Sequence, residues 1–403
     1  MASIERRETS RGVRYDVRFR DPTGRARAKT FRRRADADRF ARQVEVDKDR
    51  GLFVDPKLAR TPVADVAAAW LESNPGKRGG SQDRDEQVVR GHIEPALGER
   101  PIGSLTPADV QAVVNGWAKV RAARTVHREY AVLRAILNYA VRLDMVARNP
   151  CRGINLPEIT PIRRHIVTAA ELARLADGLG GVGDLGPMVY LGTVDGLRWG
   201  EVAGLRVRHV DFAARTVSIR ETLVRGRGGV IGFGQPKSAA GRRTLAVPPE
   251  LVVMLSDHLA AKGLSSSDRD ALLFTAPTGG VLRYSNWVRR RWYPAAVSAG
   301  VGRMVEDEST DKVRYEGIGF HDLRRANATG LVAEGVDVKT AQALLGHSES
   351  RLTLDIYAQA VTELGEAAAA AMGARFLPAR DERAMESGPG DDREHSDSEQ
   401  SDR

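Results

Sequence analysis

The sequence predicts a mainly helical α+β protein divided into several domains, on three observations. Its 403 residues, 42% of them hydrophobic, exceed what one ordinary core holds but suffice for two or three packed ones. Apolar residues recur at helical spacing over most of the chain, while strand-like stretches are confined to 3–31 and 216–247. Between the helical blocks, 149–165 holds three prolines and no periodicity, as a connecting segment does.

The charge balance points to a polyanionic partner: Lys+Arg total 62 against 53 Asp+Glu, a net of +9. The excess is uneven, with twelve basic and four acidic side chains in 1–34 and four basic and nine acidic in 379–403. A single cysteine, Cys151, excludes an intramolecular disulfide and suggests a reducing compartment, with an inert thiol expected inside the connecting segment. The Arg-rich start has no apolar core of a signal peptide, and no run approaches the roughly 18 apolar residues of a membrane span. A soluble, cytoplasmic protein is therefore expected, with no membrane partner.

In chain order, 3–7, 13–19 and 26–31 read as three short strands. Val13, Tyr15, Val17 and Phe19 alternate with Arg14, Asp16 and Arg18, and Asp21-Pro22-Thr23-Gly24 supplies the turn between the last two strands. Residues 35–50 read as a helix, with Ala37, Phe40, Ala41 and Val44 on one face and Gly51 ending it. Thr61 is expected to cap the next helix, with Pro62 at its first position and an apolar stripe of Val66, Ala67, Trp70 and Leu71. Helices over 83–93, 106–120 and 123–145 follow. Thr106 caps the second with Pro107 behind it, and Val126, Tyr130, Leu133, Ile136, Leu137 and Ala140 face a core from the third.

Past the connecting segment, helices are expected over 168–179, 185–194 and 200–205. Strands over 216–224, 230–237 and 243–247 are expected to form one three-stranded sheet. The Gly-rich 225–234 is not followed by Gly-Lys-Ser/Thr, so it reads as a hairpin turn rather than a nucleotide-binding loop. Further helices are expected over 249–261 and 284–299, the latter offering Trp287, Trp292 and Val297 to the core. Residues 361–372 have high helix propensity, and the Ser/Asp/Glu/Gly-rich end has too little apolar content to fold.

Chemistry concentrates in 319–359, GFHDLRRANATGLVAEGVDVKTAQALLGHSESRLTLDIYAQ. His321 and Arg324 are three apart, which on a helix places both on one face. Gly346 is suited to end a helix and turn His347 inward, and Tyr357 follows ten residues later beside Leu354 and Ile356. Converging imidazole, guanidinium and phenol suit phosphoryl transfer: Arg grips non-bridging oxygens, His moves protons, and the phenol attacks phosphorus. That set requires no metal.

The pattern His-x-x-Arg, then Leu-Gly-His, then Tyr resembles the C-terminal half of the catalytic domain of the tyrosine recombinase (phage integrase) family. Upstream, Gly196-Leu197-Arg198-Trp199-Gly200-Glu201 is similar to that family's first arginine box. Gln235-Pro236-Lys237-Ser238 with Arg242-Arg243-Thr244-Leu245-Ala246-Val247-Pro248 is similar to the hairpin carrying its lysine. The resemblance implies an arm-type DNA-binding domain over 1–55, a SAM-like core-binding domain over 61–147 and a linker over 148–164. It further implies a catalytic domain of DNA breaking-rejoining fold over 165–377, followed by a disordered acidic tail. One departure stands out: the family commonly has His-Thr or His-Ser after the second arginine, where this chain has Arg325-Ala326-Asn327.

By this resemblance Arg198 and Arg324 clamp the scissile phosphate, Lys237 is the general acid for the 5′ oxygen, and Tyr357 forms a 3′-phosphotyrosyl bond. His321 either accepts the tyrosyl proton or assists acid catalysis, His347 orients a phosphate oxygen, and Glu201 braces the site. Arg14, Arg18, Arg20, Arg25, Arg27 and Lys29 are the DNA-binding set of the N-terminal sheet. No metal, ATP or other cofactor is implied. The expected partner is double-stranded DNA carrying attachment sites, held by a homotetramer that exchanges strands through a Holliday junction, with a directionality factor or DNA-bending protein as a further partner. Integration or excision of a mobile element is the implied function. A type IB topoisomerase-like relaxase and a non-catalytic DNA-binding protein of the same fold are the alternatives. The 361–372 helix packs either on a neighbouring protomer or on its own domain.

Overall fold

The computed structural model describes residues 2–10, 12–21, 24–49, 54–160, 165–236, 238–307 and 312–346, with Leu354, Ala369, Met372 and Arg375 beyond them. The expectations placed on Lys237, His347, Tyr357 and the acidic tail fall outside the described residues. The chain forms two compact units, one of residues up to 163 with 224–232, the other of 164–223 and 233 onward.

In the first unit, strands β1 (Ser3–Thr9), β2 (Gly12–Arg20) and β3 (Ala26–Phe31) form an antiparallel sheet in that order. The alternation along β2 sends Val17 and Phe19 to one face, where helix α1 (Arg34–Asp49) covers them with Ala37, Ala41 and Val44. A second core gathers α2 (Val63–Glu72), α3 (Gly79–Val88), α4 (Glu94–Leu97), α5 (Pro107–Val120) and α6 (Ala123–Arg142). Pro62 stands one position before α2 rather than inside it, and Thr61 gives its carbonyl to the Ile102 N–H.

The helix expected over 83–93 is part of a longer run from Gly79 to Leu97, with a π turn at Val89–Ile93. Pro95 follows that turn, and the wider turn accommodates a residue with no N–H to donate to the preceding ladder. Thr106 and Asp109 form the reciprocal cap expected at α5, and all six core residues named for α6 are buried. Cys151 joins this core and Ile154 and Leu156 pack against it, so the start of the connecting segment is tied down. Burial pushes the Cys151 thiol up to about 12, which makes it inert.

In the second unit, Thr168 and Glu171 cap α7 (Ala169–Gly178), and α8 (Pro187–Thr193) and α9 (Trp199–Ala203) follow. The expected three-stranded sheet is differently composed. β4 (Val210–Asp211), β5 (Thr216–Ile219), β6 (Thr222–Arg225), β7 (Ile231–Gly234) and β8 (Arg243–Ala246) divide into a β4-β5-β8 sheet and a separate β6-β7 pair, of which residues 224–232 belong to the first unit. The 216–224 strand breaks because Glu221 falls at the buried parity of Val217, Ile219 and Leu223. There it is drawn to Arg206 and Arg208, at 2.9 and 3.0 Å.

Helices α10 (Pro249–Ala261), α11 (Tyr284–Trp287) and α12 (Tyr293–Ser298) come next, the last two joined by a π turn at Val288–Trp292 that again precedes a proline, Pro294. Trp287 and Trp292 are buried as expected, whereas Val297 is exposed. β9 (Gly302–Asp307) and β10 (Lys312–Gly317) make an antiparallel hairpin that the sequence did not suggest, since Met304 and Val313 are exposed and no period-two apolar face forms. Two helices close the described chain, α13 (Phe320–Ala333) and α14 (Val338–Leu345). α13 lies against α8 at Gly192, where a Cβ would meet Phe320 at 3.0 Å and Leu323 at 3.1 Å.

Candidate active site

The two predicted clamp arginines converge on one helix end. Arg324 projects from the first turns of α13 and is 2% exposed. Its Nη1 donates to the Gly196 carbonyl at 2.6 Å and its Nη2 to the Leu345 carbonyl. Arg198, at the N-cap of α9, donates from Nη2 to the Gly346 carbonyl at 3.1 Å and from Nη1 to Glu201 Oε1 at 2.9 Å. Gly346 adopts φ 61°, so α14 ends where the sequence expected, one residue ahead of His347. Carbonyls at a helix C-terminus carry partial negative charge and lack intrahelical donors, which suits cations at this spot.

Glu201 lies between Arg198 and Arg243. It is 4% exposed, accepts the Arg198 backbone N–H at 3.0 Å, and meets Arg243 in a two-pronged pair, Nη1 to Oε1 at 3.2 Å and Nη2 to Oε2 at 3.0 Å. Burial works to raise the Glu201 pKa, but the hydrogen bonds and charge of Arg243, with Arg198 behind it, hold it below the ordinary value, so the carboxylate is ionised. Arg324 is pressed down to about 9 by burial and then by the charge of Arg198, and is still a cation at neutral pH. The Glu201 carboxylate works against that lowering without cancelling it.

His321 sits three residues before Arg324 on α13 and is exposed by area. Crowding by protein around the ring, then the charge of Arg324, lower its pKa against the opposing pull of Asp322, so the imidazole is neutral at pH 7 and able to accept a proton. Just past the departure at 325–326, Asn327 Nδ2 donates to the Val194 carbonyl at 2.7 Å, tying α13 to the turn before Arg198. Gly196 fits that turn because its φ is 61° and a Cβ would lie 2.7 Å from Asn327 Oδ1.

Two residues escaped the sequence reading. Arg243 lies within the strand singled out for Lys237 but was given no role. Its parity with Leu245 and Val247 put a charge on a buried face, a signal that a partner must exist. Asp195 is 8% exposed with Oδ2 unpaired, and burial raises its pKa to about 7 against the pull of Arg243. Nothing in its local pattern, Val-Asp-Gly-Leu-Arg, marks it as buried.

The six cations of the N-terminal sheet do not share a face. Residues directly opposite in paired strands point the same way. Arg14, Arg18 and Arg20 lie opposite Arg7, Ser3 and Ala26 on the side away from α1, with Glu5 pairing Arg18 at 2.8 Å. Arg27 and Lys29 lie opposite Phe19 and Val17 on the α1 side. There Arg27 pairs with Asp21 and Asp55, and the Lys29 ammonium sits 4.4 Å from the Phe40 ring centroid. Arg25 lies in the turn, its N–H donating to Asp21.

Comparison with known proteins follows these contours. Residues 187–363 match the phage integrase family and 63–155 the phage integrase central domain. The chain is 29% identical over 279 residues to the integrase of Mycobacterium phage D29, covering 68% of this chain and 69% of that protein. It is 26% identical over 358 residues to a putative prophage phiRv2 integrase of Mycobacterium tuberculosis, covering 85% of this chain and 88% of the relative. The fold is similar to that of the Tn1549 transposon integrase solved in complex with transposon right end DNA, with a TM-score of 0.63 at 19% identity over 79% of this chain and 100% of the other. The arginine, glutamate and α13 residues that meet at the end of α14 all lie within the stretch matching the first of these families, and the chain belongs to the tyrosine recombinase (phage integrase) family.

Proposed function

We propose that the chain is a site-specific DNA recombinase of the integrase type, an enzyme that cleaves and rejoins duplex DNA through a 3′-phosphotyrosyl intermediate. The observation that carries this reading is the meeting of Arg198 and Arg324 on the Leu345 and Gly346 carbonyls, immediately before His347. A phosphodiester resists cleavage because charge accumulates on the phosphorane and the 5′ oxygen leaves poorly. Arg198 and Arg324 neutralise the first. The Tyr357 hydroxyl attacks phosphorus, its proton passes to His321, and the P–O5′ bond breaks as Lys237 protonates the leaving oxygen. His347 holds a non-bridging oxygen. A free 5′ hydroxyl from the partner strand then attacks the phosphotyrosine, restoring the phosphodiester and the phenol. The energy of the ester is kept throughout, so strand joining draws on no nucleotide.

In this reading the outward face of the N-terminal sheet, with Arg14, Arg18 and Arg20, follows a DNA backbone. Four protomers hold two duplexes and exchange strands pairwise, moving a mobile element into or out of its site. The test is recombination between two labelled duplexes taken from the DNA flanking the gene, in EDTA and without ATP. Joint molecules of hybrid label are expected. Relaxation of supercoiled plasmid without exchange would instead indicate a monomeric relaxase.

A further inference from the structure

Three successive carbonyls at the end of α14 each receive a different guanidinium. Arg243 Nε donates to Leu344 at 2.8 Å, Arg324 Nη2 to Leu345, and Arg198 Nη2 to Gly346 at 3.1 Å. Two of these belong to the phosphate clamp. The third, Arg243, has its side chain 7% exposed and both Nη atoms committed to Glu201, so it has no free face for DNA. Its other contacts are with the turn that follows Lys237: Nη1 reaches the Gly241 carbonyl at 3.3 Å. A Cβ on Gly346 would lie 2.7 Å from the Ala240 carbonyl and 3.1 Å from Arg243 Nη1, so that turn and the helix end are in close register.

We propose that Arg243 is a positioning residue for strand cleavage, a buried strut that fixes the end of α14 against the Arg198–Glu201 clamp and the 238–241 turn. The proposal rests on the recombinase reading of this site. One planar group serves because the guanidinium presents two Nη donors to the carboxylate while Nε points along a different edge to Leu344. Lysine offers a single nitrogen and cannot hold both at once. Misplacing reacting groups by about 1 Å can cost on the order of 100-fold in rate without any loss of binding contacts.

The experiment uses the full chain and a nicked suicide duplex from the DNA flanking the gene. It measures melting temperature, DNA affinity by gel shift, and the single-turnover rate of covalent adduct formation. Arg243→Lys is expected to bind within about 3-fold of wild type and to form adduct on the order of 100-fold more slowly. In a Glu201→Gln background the same substitution is expected to add little, since both act through one link. Should Arg243→Lys fail to fold, Arg243→Gln/Glu201→Gln, neutral on both sides, is compared with Glu201→Gln alone; it should retain binding and cleave no faster than that single variant.

Adduct formation by Arg243→Lys at the wild-type rate would overturn the proposal, as would equal losses of affinity and rate, or additive effects in the cycle. If wild type itself forms no adduct, the recombinase reading fails and the strut with it. If wild type cleaves and Arg243→Lys cleaves equally, the strut alone fails.

Discussion

Asp195 is a buried acid beside the clamp whose titration is moved into the neutral range. Its carboxyl is buried one residue before Gly196, the carbonyl of which receives Arg324, and burial raises its pKa from an ordinary 3.8 to about 7. For an acid whose folded pKa is raised, the stabilisation is complete below the unfolded value and is lost as pH climbs through the folded one. Asp195→Asn does not titrate. Its stability relative to wild type, measured by urea unfolding between pH 4 and pH 8, should therefore rise across that window and level off above about 7. At roughly 1.4 kcal/mol per unit the ceiling is about 4 kcal/mol. A flat difference would mean that Asp195 is paired or wet in solution. This residue was not legible in the sequence, because burial of a lone carboxyl depends on how the 194–198 turn closes against α13. Arg198, Glu201 and Arg324 could be named in advance because their boxes resemble those of the tyrosine recombinase family, while helical spacing added only that His321 and Arg324 share a face. Arg243 stood between these cases: its parity signalled burial, but its partner lay 42 residues away.

Among the elements, the N-terminal sheet shows how strand parity divides a charge cluster that composition alone treats as one. Arg14, Arg18 and Arg20 face away from α1, while Arg27 answers the buried Asp21 and Asp55. Replacing the three outward arginines by Ala is expected to lower affinity for duplex DNA and to flatten its logarithmic salt dependence by up to about 2.7, at about 0.9 per phosphate released. Filter binding across a range of salt concentrations reads this directly, and an unchanged slope would remove the sheet from the DNA interface. The helices were the most legible elements, since α5 and α7 carry both cap and stripe and α6 a long stripe. The strands were less so. Glu221 interrupts a run that propensity would extend, and the β9-β10 hairpin has no buried face for a period to reveal. Two π turns escaped because the only trace each leaves is a proline one or two residues later.

For the whole molecule, the proposed function assigns the holding of DNA and the cutting of it to successive parts of the chain. The matches to the phage integrase central domain and family fall in succession along the chain, and the basic sheet precedes both. A sheet-and-helix start, a helical block and a mixed α+β block were readable as expectations from periodicity and from the prolines of 149–165, where the chain itself forms two compact units. The docking of Cys151 and its neighbours onto the helical core was not, because a segment without period gives no hint of which surface receives it. The central claim, that a tyrosyl ester carries the DNA strand, is tested most directly by incubating wild type and Tyr357→Phe with a nicked duplex labelled at the 5′ end of the strand to be cleaved and resolving the products on a denaturing protein gel. Wild type should acquire the label as a 3′-linked adduct, while Tyr357→Phe shifts the same duplex in a native gel and acquires none. Label on Tyr357→Phe at the wild-type rate, or attachment through a 5′ end, would contradict the account.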